Sequence, residues 1–410
     1  MSNSLLNSSV IAKESLMQFK NALGFTRGVN RQYDKQFARS GAKIGNTINI
    51  RKPQRYTVSD GAVVDLQNVS DETIALTLDQ RKHVAFQFST EELTLNIEEF
   101  SPRYLAPAAL ALANKVDFTG LAKAETDVYN AVGAPGTTPT DVDVALDAGQ
   151  KLNEFSCPQG DRSIILNPKA QNKIVFGGKA LFNPTAEIAK QYKSGVISQA
   201  SGFDWRMAQN VKLHTVGPLG GTPAVKTDVS TEGATSVVTK TWTSAAASRL
   251  KKGDVITFAD VYAVNPLSFE STGELQQFVV TADMSSNSSG EGTVSFLPAI
   301  YTADSGAKQN VTKFPEADDA ILIFGAASTY ANKVSPCNIA YHKDAFILGT
   351  ADLEIPNNVE MGSVARDPES GLSIRFIRFY DGVNDRLISR LDILFGWLTA
   401  RPEWACRIQG

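Results

Sequence analysis

Residues 46–88 constrain this chain more than any other stretch. The segments TINIRKPQRYTV (47–58) and ETIALTLDQRKHVAFQF (72–88) alternate apolar and polar residues with the period of a strand. Ile48 and Ile50 alternate with Asn49 and Arg51, and Ile74, Leu76, Leu78, Val84, Phe86 and Phe88 carry the return. The stretch between them, SDGAVVDLQNVSD, is too long for a tight turn. Pro53 confines its strand to an edge or a bulge. Arg51, Arg55, Arg81 and Lys82 lie near the middle. A two-stranded ribbon of this length, with four cations at its centre, is not expected to bury itself in its own domain. It projects and needs a surface to lie on.

The other end of the chain poses the opposite problem. RLDILFGWLTARPEWACRIQG (390–410) holds Ile393, Phe395, Trp397, Trp404 and Ile408, too many apolar groups to leave in water. It reads as the closing strands of a sheet whose other members come from distant sequence.

A long helix is expected from Pro102 to Val132, rich in Ala and Leu, capped by Ser101, with Pro107 near enough to the start to be tolerated. Such a rod measures roughly 45 Å and is the natural cover for that sheet. Shorter helices are expected at Thr90–Phe100 and Pro184–Tyr192, and an amphipathic one within residues 8–23. Residues 141–219 alternate helix and strand signals. From Gly220 to about Phe314 the text turns Ser-, Thr-, Gly- and Val-rich. Candidate strands SVVTKTW, DVITFADVYAV, LQQFVVTA and GTVSFLPA are separated by turn chemistry, the pattern of a small β-barrel inserted into another domain.

Forty basic residues against 43 acidic give a formal charge of −3, so no global field marks a nucleic-acid binder. The first 43 residues differ, with seven basic residues (Lys13, Lys20, Arg27, Arg31, Lys35, Arg39, Lys43) against Glu14 and Asp34. They form a solvated arm or a surface for an acidic partner. Three scattered cysteines give neither a disulfide framework nor a metal spacing. No apolar run approaches the ~18 residues of a membrane span, so no membrane contact is expected.

The search for chemistry finds little. His83, His214 and His342 stand apart from one another and read as surface or satisfied-core histidines. Phe176–Ala180 (FGGKA) lacks the earlier glycine of a phosphate loop and the hydroxyl that holds magnesium. Asp141, Asp143 and Asp147 lack the Gly and Glu of a calcium loop. No nucleophile motif stands out. The expectation is a non-enzymatic protein with no cofactor and no metal.

The order of these elements resembles the major capsid protein of tailed bacteriophages, the Hong Kong 97 fold. Within it, the chain resembles the podovirus coat proteins that carry an inserted β-barrel. The resemblance rests on LKKGDVITFADVYAV (250–264), on FDWRMAQNVKLHTVG (203–217) before the insertion, on CNIAYHKDAFILGTADLEIP (337–356) after it, and on TARPEW (399–404) as the last strand. It implies an α+β fold made of an N-terminal arm (1–42), an extended loop (43–89) and a peripheral domain with a spine helix (90–135). An axial domain (136–219 and 315–360), the insertion (220–314) and closing peripheral strands (361–410) complete it.

It also implies a shell of pentamers and hexamers, a separate scaffolding protein during assembly, a portal protein, and non-specific contact with packaged double-stranded DNA. Assembly is expected in the host bacterial cytoplasm, yielding a virion. Arg51, Arg55, Arg81 and Lys82 are the expected inter-subunit charges. Lys13, Lys20, Arg27, Arg31, Lys35 and Arg39 are the expected interior-facing charges of the arm. Deleting residues 1–42 is expected to leave a folded subunit that misassembles. An encapsulin-like compartment shell and a soluble enzyme with an inserted β-domain are the alternatives.

Overall fold

A computed structural model describes residues 8–31, 47–52, 54–58, 61, 66, 73–89, 104–177, 199–325, 327–357, 359–367 and 372–409. The helices expected at Thr90–Phe100 and Pro184–Tyr192 lie outside the described residues, as does most of the stretch linking the hairpin strands. The chain divides into two units. The first is Met1–Arg51, Thr73–Gly120 and Phe346–Ala400; the second is Lys52–Glu72, Leu121–Ala345 and Arg401–Gly410.

In the first unit the hairpin's return segment is not one strand. β1 (Thr47–Arg51) pairs antiparallel with β2 (Thr73–Thr77), but β3 (Gln80–Ser89) leaves for a different sheet. The break falls at Leu78-Asp79 because Leu76 and Leu78 are buried, packing where a side chain on Gly349 would stand. β3 pairs with β22 (Arg386–Thr399), which also pairs with β19 (Phe346–Ala351) and β21 (Ser373–Asp381); β20 (Met361–Arg366) closes the far edge. α1 (Ser8–Ala22) lies along β20 and β21, burying Ile11, Leu16 and Phe19.

The long helix is shorter than its sequence suggests. α2 runs Ala106–Asp127, with Pro107 in its first turn. Residues 128–132 are buried instead, and Ala131–Gly133 forms strand β4. Asn130 explains the switch: its Nδ2 donates to Glu403 O and Ala405 O, both at 3.2 Å, and ties the segment to a sheet. Here tertiary bonds override helix propensity. The N-terminal part of α2 packs on the first unit's sheet as expected. Trp397 Nε1 donates to Val116 O at 3.2 Å, and a Cβ on Gly120 would come within 2.6 Å of the Trp397 ring, so only glycine permits this approach.

The second unit has two layers of work. Its six-stranded sheet runs β4, β23 (Ala405–Gln409), β18 (Asn338–His342), β5 (Arg162–Leu166), β7 (Phe203–Met207), β6 (Gln199–Ala200). α3 (Asp143–Glu154) and α4 (Pro168–Gly177) cover it, sharing a core that includes Leu152, Ile164, Ile174 and Phe203. β8 (Leu213–Thr215) pairs with β17 (Val334–Pro336) beside it. The apolar tail is therefore divided. β22 serves one sheet and β23 the other, while Pro402–Trp404 forms a 3-10 turn rather than the expected last strand. Pro402 has no N–H to give a ladder.

The inserted stretch forms an antiparallel sheet in the order β16 (Ile321–Ile323), β12 (Val255–Val264), β13 (Ser271–Val280), β15 (Gly292–Ile300), β10 (Ala234–Trp242), β9 (Gly221–Val225). Its two ends meet. Val225 N donates to Asp319 O at 2.9 Å, Asp318 N donates to Val225 O at 3.0 Å, and Ala224 bridges Ala320. The sheet is a closed barrel whose sixth strand comes from beyond residue 314. Phe258, Phe278 and Phe296 meet edge-to-face at its centre, ring centroids 5.0–5.7 Å apart. A smaller pair, β11 (Ala247–Leu250) with β14 (Met284–Ser286), flanks it.

Candidate functional site

The charged residues singled out in the sequence fall into different settings. Arg51 ends β1, whose alternate residues are exposed. In the second unit Arg55 pairs with Glu403 at 3.4 Å, with Arg55 still 40% exposed. Nearby in sequence, Val58 is 94% exposed and Leu66 87%.

Arg81 and Lys82 leave β3 on opposite faces. Arg81 Nη2 lies 3.8 Å from Asp392 Oδ1. Asp392 is fully buried on β22, and it accepts from Arg375 Nη2 at 2.6 Å and Arg390 Nε at 2.7 Å. Three guanidinium groups around one carboxylate leave positive charge in excess. The two more exposed of them, Arg81 and Arg390, present it to solvent.

The first part of the basic arm is not a solvated tail. Lys13 is exposed on the outer face of α1, and Lys20 lies in the same helix. Arg27 is exposed in a 3-10 turn, Arg31 follows half-buried, and Lys35 and Arg39 lie outside the described residues. Between the charges the arm is anchored. Asp117 of α2 accepts from Gly24 N (2.6 Å), Phe25 N (3.1 Å), Thr26 N (3.0 Å) and Thr26 Oγ1 (2.5 Å). Burial raises the Asp117 pKa despite those donors. Phe25 stacks on Trp397 with centroids 5.3 Å apart, and Asn30 bridges Ile347. The expectation that deletion of 1–42 spares the fold is thus corrected, because residues 11–29 supply core to their unit.

Sequence reading also missed a buried ionic group in the second unit. His214 on β8 is satisfied by two carboxylates: Nδ1 lies 2.9 Å from Glu125 Oε1, on the last turns of α2, and Nε2 lies 2.8 Å from Asp254 Oδ1, in the turn before β12. Lys212 pairs with Glu125 Oε2. Arg407 on β23, fully buried, donates from Nη1 to Glu125 O (3.2 Å) and Gly253 O (2.7 Å). Burial works against charge on His214, but the bonds from Asp254 and Glu125 outweigh it and raise its pKa. Burial likewise opposes ionisation of Glu125, and the bonds from His214 and Lys212 bring its pKa below the usual value. These residues lie 40 and 89 positions apart, so no local spacing announces them. All three cysteines are buried, with burial holding the Cys157 and Cys337 thiols up to about 11 and Cys406 up to about 12, so thiolate chemistry is suppressed at neutral pH.

These elements define an α+β protein of the Hong Kong 97 capsid class, with its long helix, extended hairpin and closing sheets. Across residues 2–409 the sequence matches one family model, described as P22 coat protein, gene protein 5. The chain belongs to the P22 coat protein family, and its function is that of a tailed-phage major capsid protein, whose copies assemble into the shell of a virion.

Among solved structures it is similar to one titled Mycobacterium phage Che8 (15% identity, 94% of this chain and 90% of that one, TM-score 0.45). It is also similar to the capsid of Ralstonia phage GP4 (6% identity, 100% and 92%, TM-score 0.45). A third similar structure is a virus-like particle from Pyrococcus furiosus (10% identity, 97% and 98%, TM-score 0.39). No curated protein sequence matches the chain.

Proposed function

We propose that the subunit is a purely structural, non-enzymatic coat protein that forms pentamers and hexamers of an icosahedral procapsid. The match to the P22 coat protein family over residues 2–409 carries this reading. The procapsid assembles in the host bacterial cytoplasm on a separate scaffolding protein, receives DNA through a portal protein, and expands as DNA enters. In this reading β3, β19–β22, α1 and the first part of α2 form the peripheral domain. The sheet from β4 to β6 is the axial domain, and the barrel is the insertion.

The hairpin is the intersubunit arm. Its exposed Tyr56, Val58 and Leu66 gain apolar partners from a neighbouring copy, and Arg51 and Arg55 flank that contact with positive charge. Arg81 and Lys82 extend that surface, and the basic arm from Lys13 to Arg39 faces the scaffold and later the DNA. Negative-stain electron microscopy tests the proposal. Expression with the scaffolding protein should yield closed shells, and expression without it aberrant curved sheets. A monodisperse small particle under both conditions would refute it.

A further inference from the structure

The barrel is fastened to the α/β part of its own unit at several points, and they differ in kind. Gln277 of β13 acts as a neutral clamp on the edge strand β4: its Oε1 accepts from Ala131 N at 2.8 Å and its Nε2 donates to Ala131 O at 2.9 Å. At the tip of the β12–β13 hairpin, Asn265 Nδ2 donates to Glu154 O at 2.9 Å. Tyr129 and Phe155 pack with Ala263 and Val279 as an apolar contact. The fourth fastening is the ionic group around His214, at the root of the barrel. The Lys251–Asp254 turn there is held by Asp254 Oδ2, which accepts from Lys251 N (2.8 Å) and Gly217 N (3.1 Å). Gly253 has φ +99°, and a Cβ there would lie 3.0 Å from Glu125 O, so the turn sits hard against the end of α2.

Both ring nitrogens of His214 face carboxylate oxygens. Only the imidazolium donates to both; a neutral ring turns a lone pair toward one of them at under 3 Å. Asp254 is fixed as an acceptor by its two backbone donors, and Lys212 holds Glu125 ionised. We propose that His214 is a proton-dependent bolt, which locks the root of the barrel to the end of α2 while its ring is charged and releases that seat when the proton leaves. The clamp at Gln277 carries no titratable group, and the Arg407 tie is made by a guanidinium, a group that stays protonated in proteins, so release lets the barrel root pivot rather than detach.

The groups facing the bolt are Glu125 from α2, Lys212 and His214 from the β8 segment, Asp254 from the barrel, Arg407 from β23, and Cys337, which lies beside Arg407 before β18. The window follows from the directions of the shifts. The folded pKa of His214 lies above its ordinary 6.5, so its contribution is complete below about 6.5 and is lost as pH rises through the folded value. The pKa of Glu125 lies below its ordinary 4.5, so its contribution is present above about 4.5 and is lost only as pH falls through the lower value. The bolt is closed between these limits and opens on the alkaline side.

Hydrogen exchange on the full-length purified protein tests this, with rates expressed as protection factors so that base catalysis of exchange cancels. Between pH 6 and pH 9.5, protection of residues 250–256 and 212–217 should fall about tenfold. Protection of residues 234–242 in the barrel wall should stay constant. Asp254→Asn supplies the decisive contrast. Its Oδ1 can still accept from Gly217 N and Lys251 N, and its Nδ2 donates to a neutral His214, so protection at the root should become independent of pH. Unchanged protection in the wild type, or an equal fall in D254N, would overturn the proposal. If D254N does not fold, the wild-type series alone decides.

Discussion

The barrel and the β1–β2 hairpin are built from the same kind of strand, and they solve the edge problem in opposite ways. The barrel joins its first and last strands through Val225, Asp318 and Asp319 and fills its centre with three phenylalanines. It leaves little for a partner to complete. The hairpin has two strands, alternate residues exposed along β1, and no third strand paired to it among the described residues. A two-stranded ribbon is marginal alone. One element is finished within the subunit and the other is the proposed intersubunit arm, so damage to each should be read by a different instrument.

The largest effect expected is on the finished element. Phe278→Ala removes the ring shared by two aromatic contacts and should cost about 3–5 kcal/mol in the unfolding free energy of the subunit, read by urea denaturation. A cost near zero would mean that the barrel core is loosely packed and the contrast with the hairpin is false. Next comes the arm, which sequence alone places with the hairpin and the structure places with the core. Asp117→Ala strands three backbone donors and should cost about 2–3 kcal/mol in the same experiment. If only assembly suffers while the midpoint stays put, the arm belongs with the unfinished elements after all. The smallest effect on the subunit is expected from Arg51→Glu with Arg55→Glu, under about 1 kcal/mol, because exposed ion pairs contribute little. The same pair should disturb shell formation seen by microscopy. Normal shells would remove the charges from the interface.

What could be read in advance divides along similar lines. Alternation, turn residues and composition mark the barrel strands, because each signal lies within ten residues of the next. The period-2 pattern of residues 72–88 is also visible, yet nothing in it reveals that the strand changes partner at Leu78-Asp79. That choice is made by Leu76 and Leu78 finding a buried seat beside Gly349. The end of α2 is illegible for the same reason, since Asn130 is recruited by Glu403 and Ala405 from 273 and 275 residues away. His214 was readable as a satisfied histidine but not as the centre of a charge group, since its partners come from other elements.

The position of β23 has a consequence for time rather than for shape. It lies between β4 and β18 and joins residue 131 to residue 407, whereas the widest ladders within the barrel join Ala234 to Ile300 and Ile256 to Ile323, and its closing bridge joins Ala224 to Ala320. Closing such a wide loop is slow, and short loops come first. The expected order is a barrel that gains its structure early, as an island, and a six-stranded sheet that stays in two pieces until the far segment returns. Pulse-labelled exchange during refolding, with β13 protected before β23, would record that order. For a protein made in many copies the order matters: a chain that has not delivered β23 has not yet joined β4 to the rest of its six-stranded sheet.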